Sequence, residues 1–326
     1  MKLTESLVIR NKTIRNRIAL PPMATEKAVN GAPGSDMIEY YKPRAKDAGL
    51  VIIEHEYVSP EGMASPGQLS VASDDVIPGY TQLASAIHEL GAVTLLQISH
   101  AGAAARNGGL PVIAPSAVTA RADRPAPVEM TKEDIRRVGQ CYVDAALRAQ
   151  KAGFDGIELH SAHGYLLNQF YSPLTNKRTD EYTGSTLEGR TRFHVETLKA
   201  IREAVGDDFV IAIRFGACDY EEGGSVIEEI PYAVKAFEAA GADLIDISGG
   251  VVHIADKPGH KEAGRFAPEG RMAKENVNVP VLVTGGITTG KETEDLLESG
   301  AGDIVGVGIA FLKDPEWASK ALTGTI

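Results

Sequence analysis

Short runs of β-branched and aliphatic residues recur along the chain, and most of them follow a stretch that ends in Ala-Gly or Gly-Ala. They read DAGLVIIEH (47–55), LGAVTLLQIS (90–99), KAGFDGIELH (151–160), AAGADLIDIS (239–248) and SGAGDIVGVG (299–308). Two weaker copies are VGDDFVIAIRF (205–215) and NVPVLVTGG (278–286), and RNRIALPPMA (15–24) supplies a first strand. The runs lack clean polar–apolar alternation, which suits strands buried on both faces of a parallel sheet. A Gly just past a helix can take the left-handed conformation that ends it. The intervening segments read as helices over Asp36–Asp47, Pro78–Leu90, Thr131–Ala152, Thr186–Ala204, Ile227–Ala240 and Lys291–Ser299. Thr131, with Asp134 three residues on, reads as an N-cap pair. Eight strand-plus-helix units predict an α/β fold, a (β/α)8 TIM barrel. An open, doubly wound sheet is the rival architecture.

A plain barrel takes about 250 residues, so a chain of 326 residues carries insertions. Three long loops follow strands, roughly 100–130, 161–185 and 249–270, rich in Gly, Pro, His, Arg and Tyr. Such loops lie over the C-terminal mouth, where barrel chemistry sits. No linker, charge block or low-complexity tract divides the chain, so a single domain over 1–326 is expected.

Composition narrows the class. The chain is 43% hydrophobic and 24% charged, ordinary for a globular protein and unlike a disordered one. The 34 glycines show no period of three, which excludes a collagen-like chain. No apolar run approaches the roughly 18–20 residues that span a bilayer, and MKLTESLVIRNKTIRNRI has no signal-peptide core. Acidic residues outnumber basic ones, 44 to 33, giving a net charge of −11. That charge disfavours nucleic acid and anionic membrane as partners and leaves a small-molecule substrate. Two cysteines, Cys141 and Cys218, exclude a disulfide framework and a four-cysteine iron–sulfur cluster within this chain. A reducing, cytoplasmic compartment is expected; a homo-oligomer is allowed.

Candidate chemistry gathers at strand ends. VTGGIT (283–288) and VGVGI (305–309) are Gly-rich turns after strands seven and eight. Barrels commonly bind phosphate there on exposed backbone N–H groups; the plain alternative is that Gly only makes tight turns. His160 ends strand four, with His163 and Tyr165 on the loop beyond. Two imidazoles and a phenol can hold an oxyanion and supply a proton. A metal site is the alternative, with Glu158 or His55 as a third ligand. Gln97, Arg214, Glu54 and His55 also end strands, where an apolar core would want no polar group. A planar heterocycle with carbonyls and ring nitrogens would satisfy Gln97 and Arg214; an Arg–Glu pair inside the barrel is the alternative for Arg214. No Lys ends a predicted strand, which counts against a Schiff-base aldolase.

These segments resemble the Old Yellow Enzyme family of FMN-dependent ene-reductases, which includes the flavin barrel of 2,4-dienoyl-CoA reductase. The resemblance runs from about Leu3 to Pro315 and is carried by NRIALPPMA, QISHAG (97–102), ELHSAHGYLLNQFYSPLTNKRTDEYTGS (158–185) and EGRTRF (188–193). It implies an NAD(P)H-dependent oxidoreductase with FMN held non-covalently at the mouth of a barrel. By resemblance, Pro22, Met23 and Ala24 lie along the ring and the backbone N–H of His55 touches it. Gln97 bonds its pyrimidine edge, Arg214 sits near N1 and O2, and Gly285, Gly286 and Gly308 cradle the phosphate. His160 and His163 then bind the substrate's carbonyl oxygen, and Tyr165 protonates the α-carbon. NADH or NADPH reduces FMN, directly or through a separate protein, and an enone or enoyl thioester takes the hydride.

Three positions depart from the family pattern. Ala24 stands where members place Thr or Cys, with Thr25 one residue on to compensate. Ile309 stands where many have Arg, which shifts the phosphate's cation to Arg265 or Lys257, and Ala103 replaces a frequent Arg. His253, in the loop after strand six, is either an extra acid or a surface residue. An FMN dehydrogenase or demethylase and a non-catalytic flavin-binding protein are the alternative functions.

Overall fold

Eight parallel strands close into a barrel in a computed structural model of the chain, which describes residues 1–120, 124–251 and 262–326. The strands are β1 (Ile18–Leu20), β2 (Leu50–Tyr57), β3 (Val93–Ser99), β4 (Gly156–Ser161), β5 (Val210–Gly216), β6 (Leu244–Ser248), β7 (Val281–Val283) and β8 (Ile304–Gly306). Each pairs with the next, and β8 returns to β1. This is the expected (β/α)8 barrel, and the open-sheet alternative falls.

Alternate residues along each strand face opposite ways, and that rule builds two cores. Outward positions, Val51, Leu96, Ile157, Ile213 and Ile245 among them, pack in one large cluster against the helices. Inward positions near the strand starts, Ala19, Ile52, Leu95, Ala212 and Leu244, fill the barrel floor together with Ile9 and Ile14. Those last two belong to an antiparallel hairpin, Leu7–Ile9 with Lys12–Ile14, that closes the N-terminal end. Two residues further along the same inward rows, the side chains turn polar: Leu95 gives way to Gln97, Ala212 to Arg214 and Leu244 to Asp246. The barrel is therefore oily at its base and polar under its mouth.

The surrounding helices are α1 (Ser35–Ala45), α2 (Ile77–His88), α3 (Lys132–Lys151), α4 (Leu187–Val205), α5 (Ile230–Ala239), α6 (Ala267–Lys274) and α7 (Gly290–Glu298). Thr131 caps α3 as expected: its Oγ1 accepts from the Asp134 N–H (3.1 Å), and the Asp134 carboxylate accepts from the Thr131 N–H (3.0 Å). The third long loop proves shorter than the sequence suggests, because α6 begins at Ala267 with Pro268 in its first turn. Among the described residues, no helix is long and apolar enough to cross a membrane.

Candidate active site

A cavity of about 630 Å3 opens at the C-terminal mouth of the barrel. Pro22 and Ala24 reach it from beyond β1, His55 from β2, Gln97 from β3, His160 from β4 and Arg214 from β5. His163 and Tyr165 enter from the loop after β4. The His160 ring centroid lies 4.9 Å from that of Tyr165 and 5.2 Å from that of His163, and His55 is 5.4 Å from Tyr165. The loop is held from several sides. The His163 N–H donates to the Gly249 carbonyl (3.1 Å), the Gly164 N–H to Asn168 Oδ1 (2.9 Å), and Gln169 Nε2 to the Gly164 carbonyl (2.6 Å). His163 adopts a φ of 57°, uncommon for a residue with a side chain, and its Nε2 lies 2.8 Å from Ser248 Oγ.

Burial sets the charge states. It drives His160 well below the ordinary histidine range, reinforced by His163, His55 and Arg214 beside it. It pushes His55 down to about 4, with Arg214 adding to the effect. Both imidazoles are therefore neutral at pH 7, each with one N–H to give. The tautomer of His55 follows from Gln68. The Ala64 N–H donates to Gln68 Oε1 (2.6 Å), so Gln68 Nε2 is the donor to His55 Nδ1 (2.6 Å), and the His55 proton sits on Nε2. Burial raises the Tyr165 phenol, with Arg106 pulling the other way, so it stays protonated. The pairing of β2 with β3 slips between Ile53 and Glu56, a bulge at Glu54–His55 of the kind that re-aims groups beside active sites.

A second cavity of about 280 Å3 adjoins the first, and Arg214 and His163 line both. The extended segment after β1 divides them: Pro22 and Ala24 face the larger, Pro21 and Met23 the smaller. Gly285, Gly286 and Gly308 form its wall. Gly285 and Gly286 have φ of 115° and 73°, and a Cβ on Gly286 would stand 2.6 Å from the Glu262 carbonyl oxygen and 2.8 Å from the Arg265 guanidinium. Arg265 lines this cavity, and its Nε is buried with no hydrogen-bond partner among the described residues.

The departures can now be placed. Ile309 faces the smaller cavity, 56% exposed, and brings no charge; Arg265 is the cation beside the glycine wall. Thr25 does not substitute for Ala24, because its hydroxyl donates to Glu54 Oε1 (2.8 Å) and its N–H to the other oxygen. Burial raises Glu54 to about 7, opposed by those two bonds. His253 and Lys257 lie outside the described residues. Among the described residues, no group of three or more His, Cys, Asp or Glu side chains is arranged to hold a metal ion; Glu158 turns instead to Gln97.

The sequence profile of the NADH:flavin oxidoreductase / NADH oxidase family matches residues 2–325. The chain belongs to this family, the Old Yellow Enzymes. It is 41% identical to an NADH oxidase of Thermoanaerobacter brockii, over 97% of this chain but only 50% of that one. To an NADPH dehydrogenase of Halalkalibacterium halodurans it is 38% identical, over 98% and 94%. A solved 2-naphthoyl-CoA reductase superposes with a TM-score of 0.93 at 29% identity, over 99% of this chain and 52% of that one. The chain thus spans about half the length of two of these relatives. The family's description makes a flavin the group to set against this site. Its residues fit such a group: two contiguous cavities, a glycine wall that a Cβ would fill, and an unpartnered buried guanidinium nitrogen at the far end.

Several residues of the site escaped the sequence. Gln68 orients His55 from 13 residues away, a pairing no local pattern reveals. Asp246 lies opposite Arg214 across β5 and β6. It was readable in principle, since it is a polar residue near a strand end, as Gln97 is. Arg106 and Arg124 also line the larger cavity, and neither forms an ion pair among the described residues.

Proposed function

We propose that this enzyme binds FMN non-covalently and reduces the C=C bond of enones or enoyl thioesters with electrons from NADH or NADPH. The observation that carries this reading is the convergence of His160, His163 and Tyr165 on one cavity whose inner wall presents Gln97 and Arg214. The glycine wall and Arg265 would hold the phosphate, and the Pro22–Ala24 segment would flank the ring. FMN, when bound, supplies two-electron transfer between nicotinamide and acceptor.

The chain's own groups do the rest. His160 and His163 donate to the carbonyl oxygen of the acceptor, where negative charge grows as the β-carbon is reduced. Donors fixed in place before reaction need no reorganisation as that charge appears. Tyr165 gives its proton to the α-carbon, and its raised affinity for that proton keeps it loaded at neutral pH. Gln97 and Arg214 fix the cofactor edge opposite the acceptor.

The test separates the half-reactions. Purified protein should show a flavin spectrum, be reduced anaerobically by NADH or NADPH, and be reoxidised by 2-cyclohexen-1-one or an enoyl thioester. Reduced protein that reacts with oxygen but with no activated alkene would overturn the reading. Tyr165→Phe should slow reoxidation by a weakly activated enone by about 10²-fold, the scale of a general acid. A nitroalkene should still reoxidise it, because the nitronate formed is stable and takes its proton later from water. Equal loss with both acceptors would assign Tyr165 to positioning instead.

Arg106 and Arg124 make the larger cavity cationic beside Tyr165. An acceptor bearing a carboxylate should therefore outcompete its methyl ester, and added salt should erode that preference. A salt-independent preference, or none, would remove the two arginines from acceptor selection.

A further inference from the structure

Under the inner wall of the cavity, four consecutive strands each contribute one polar side chain: Gln97 from β3, Glu158 from β4, Arg214 from β5 and Asp246 from β6. Register places Gln97 opposite Glu158 and Arg214 opposite Asp246. Both carboxyl groups are fully buried, at 0% exposure. Asp246 Oδ2 stands 3.2 Å from Arg214 Nε, at ion-pair distance, yet neither Asp246 oxygen receives a hydrogen bond from the described residues. Glu158 Oε1 accepts from Gln97 Nε2 (2.7 Å), and Oε2 has no partner among the described residues.

One guanidinium thus serves two buried carboxyl groups. Ionising both would leave an uncompensated negative charge in a sealed interior, where desolvation makes it costly. A single proton on the pair balances the charge, and two such groups titrate as a unit. Burial pushes Asp246 up to about 7 against the pull of Arg214, and burial together with Asp246 drives Glu158 above the usual carboxylate range. His55 on β2 and His160 on β4 also face Arg214 and are both neutral, and His163, on the loop after β4, lines both cavities with it. On β7 the residue opposite Asp246 is Leu282, which carries no charge.

We propose that Glu158 and Asp246 form a proton-accepting pair coupled through Arg214 to the redox state of the bound flavin. This rests on the reading that Arg214 faces the FMN pyrimidine edge. The hydride that reduces the ring brings two electrons and one proton, and leaves one negative charge at that edge. Arg214 then has a second anion to balance. The carboxylate of the pair loses part of its counter-ion and takes one proton from solvent, –COO⁻ becoming –COOH. Reoxidation returns that proton. No other group is oxidised or reduced.

The experiment is the midpoint potential of the FMN-loaded protein against pH, measured spectroelectrochemically. Each proton taken up with two electrons shifts the couple about 30 mV for a tenfold change in proton concentration. Wild type should show about 60 mV per pH unit near neutrality, where the ring and the pair each take one. Each single variant keeps one carboxylate that can take the proton, so Asp246→Asn and Glu158→Gln together should bring the slope toward about 30 mV. The double variant should also raise the potential, since Arg214 then has neither carboxyl group as counter-ion. A redox-difference infrared spectrum should show a carboxylic C=O band gained on reduction and lost in the double variant. A slope of about 30 mV in wild type, or one that the double substitution leaves unaltered, overturns the pair. Arg214→Met separates the two levels: it should lower the potential. If it leaves the potential unchanged, the placement of Arg214 fails; if it lowers it while the slope stays fixed, only the proton pair fails.

Discussion

Gly286→Val should yield a folded barrel that carries no flavin. The residue sits at a φ of 73°, where a β-branched side chain is strained, and its Cβ would press within 2.6 Å of the Glu262 carbonyl oxygen. The added branches would also occupy the space beside the Arg265 guanidinium, which lines the smaller cavity together with the glycine wall. Circular dichroism should report an intact barrel, because the change lies in a loop beyond β7 and not in either core. The flavin absorbance should be absent and should return only at high added FMN. Full occupancy in this variant would remove the phosphate from Gly285, Gly286 and Gly308.

Arg265 sharpens the same expectation. A charge-assisted bond contributes about 1.5–3 kcal/mol, which corresponds to roughly 10–100-fold in affinity. Arg265→Gln should therefore weaken FMN by that factor and leave riboflavin, which lacks the phosphate, nearly unchanged. Equal loss of both ligands would mean that Arg265 shapes the cavity without meeting the phosphate. The comparison matters because Ile309 supplies no charge where the family usually places Arg.

The barrel was legible because its grammar is local. Each strand is a short apolar run between a helix end and a turn, and eight such runs have one common closed solution. Gln97 and Arg214 were legible for a related reason: polar residues on inward rows need partners. What they pair with was not. The alternative of an Arg–Glu pair inside the barrel was half right, since Arg214 lies against Asp246 while also feeling Glu158. Register between strands decides such contacts, and register is not written within any one strand. The role of Thr25 was hidden likewise, because Glu54, 29 residues on, captures its hydroxyl. Helix α6 was absorbed into a loop because Gly264 precedes it and Pro268 and Gly270 lie within it, yet Gly270 is there for contact, its Cα facing the Ala301 carbonyl and Val283.

The second large effect concerns the oxyanion pair. His160→Ala and His163→Ala should each slow reoxidation of the reduced enzyme by an enone 10²- to 10³-fold, about the worth of one preorganised donor. Flavin binding should survive, because neither side chain belongs to the glycine wall. Reduction by NADH or NADPH should change far less, since no oxyanion forms in that step. The double variant should lose less than the product of the two, because the pair acts on a single oxygen. The pH profile adds an independent check. Burial keeps His160 neutral far below its ordinary range, so its N–H is present throughout neutral pH. Reoxidation of the His163→Ala variant, in which His160 is the donor that remains, should accordingly show no inflection near 6.5, where an exposed histidine titrates. A histidine that acted as a charged acid would instead lose rate as pH rose through its pKa. If both half-reactions slowed together, or if flavin were lost, His160 and His163 would be structural supports of the loop. The bond from His163 to Ser248 gives that outcome a concrete form: the ring would be tying the β4 loop to β6. Ser248→Ala distinguishes the cases, for it removes the tie while leaving both imidazoles in place to meet the acceptor.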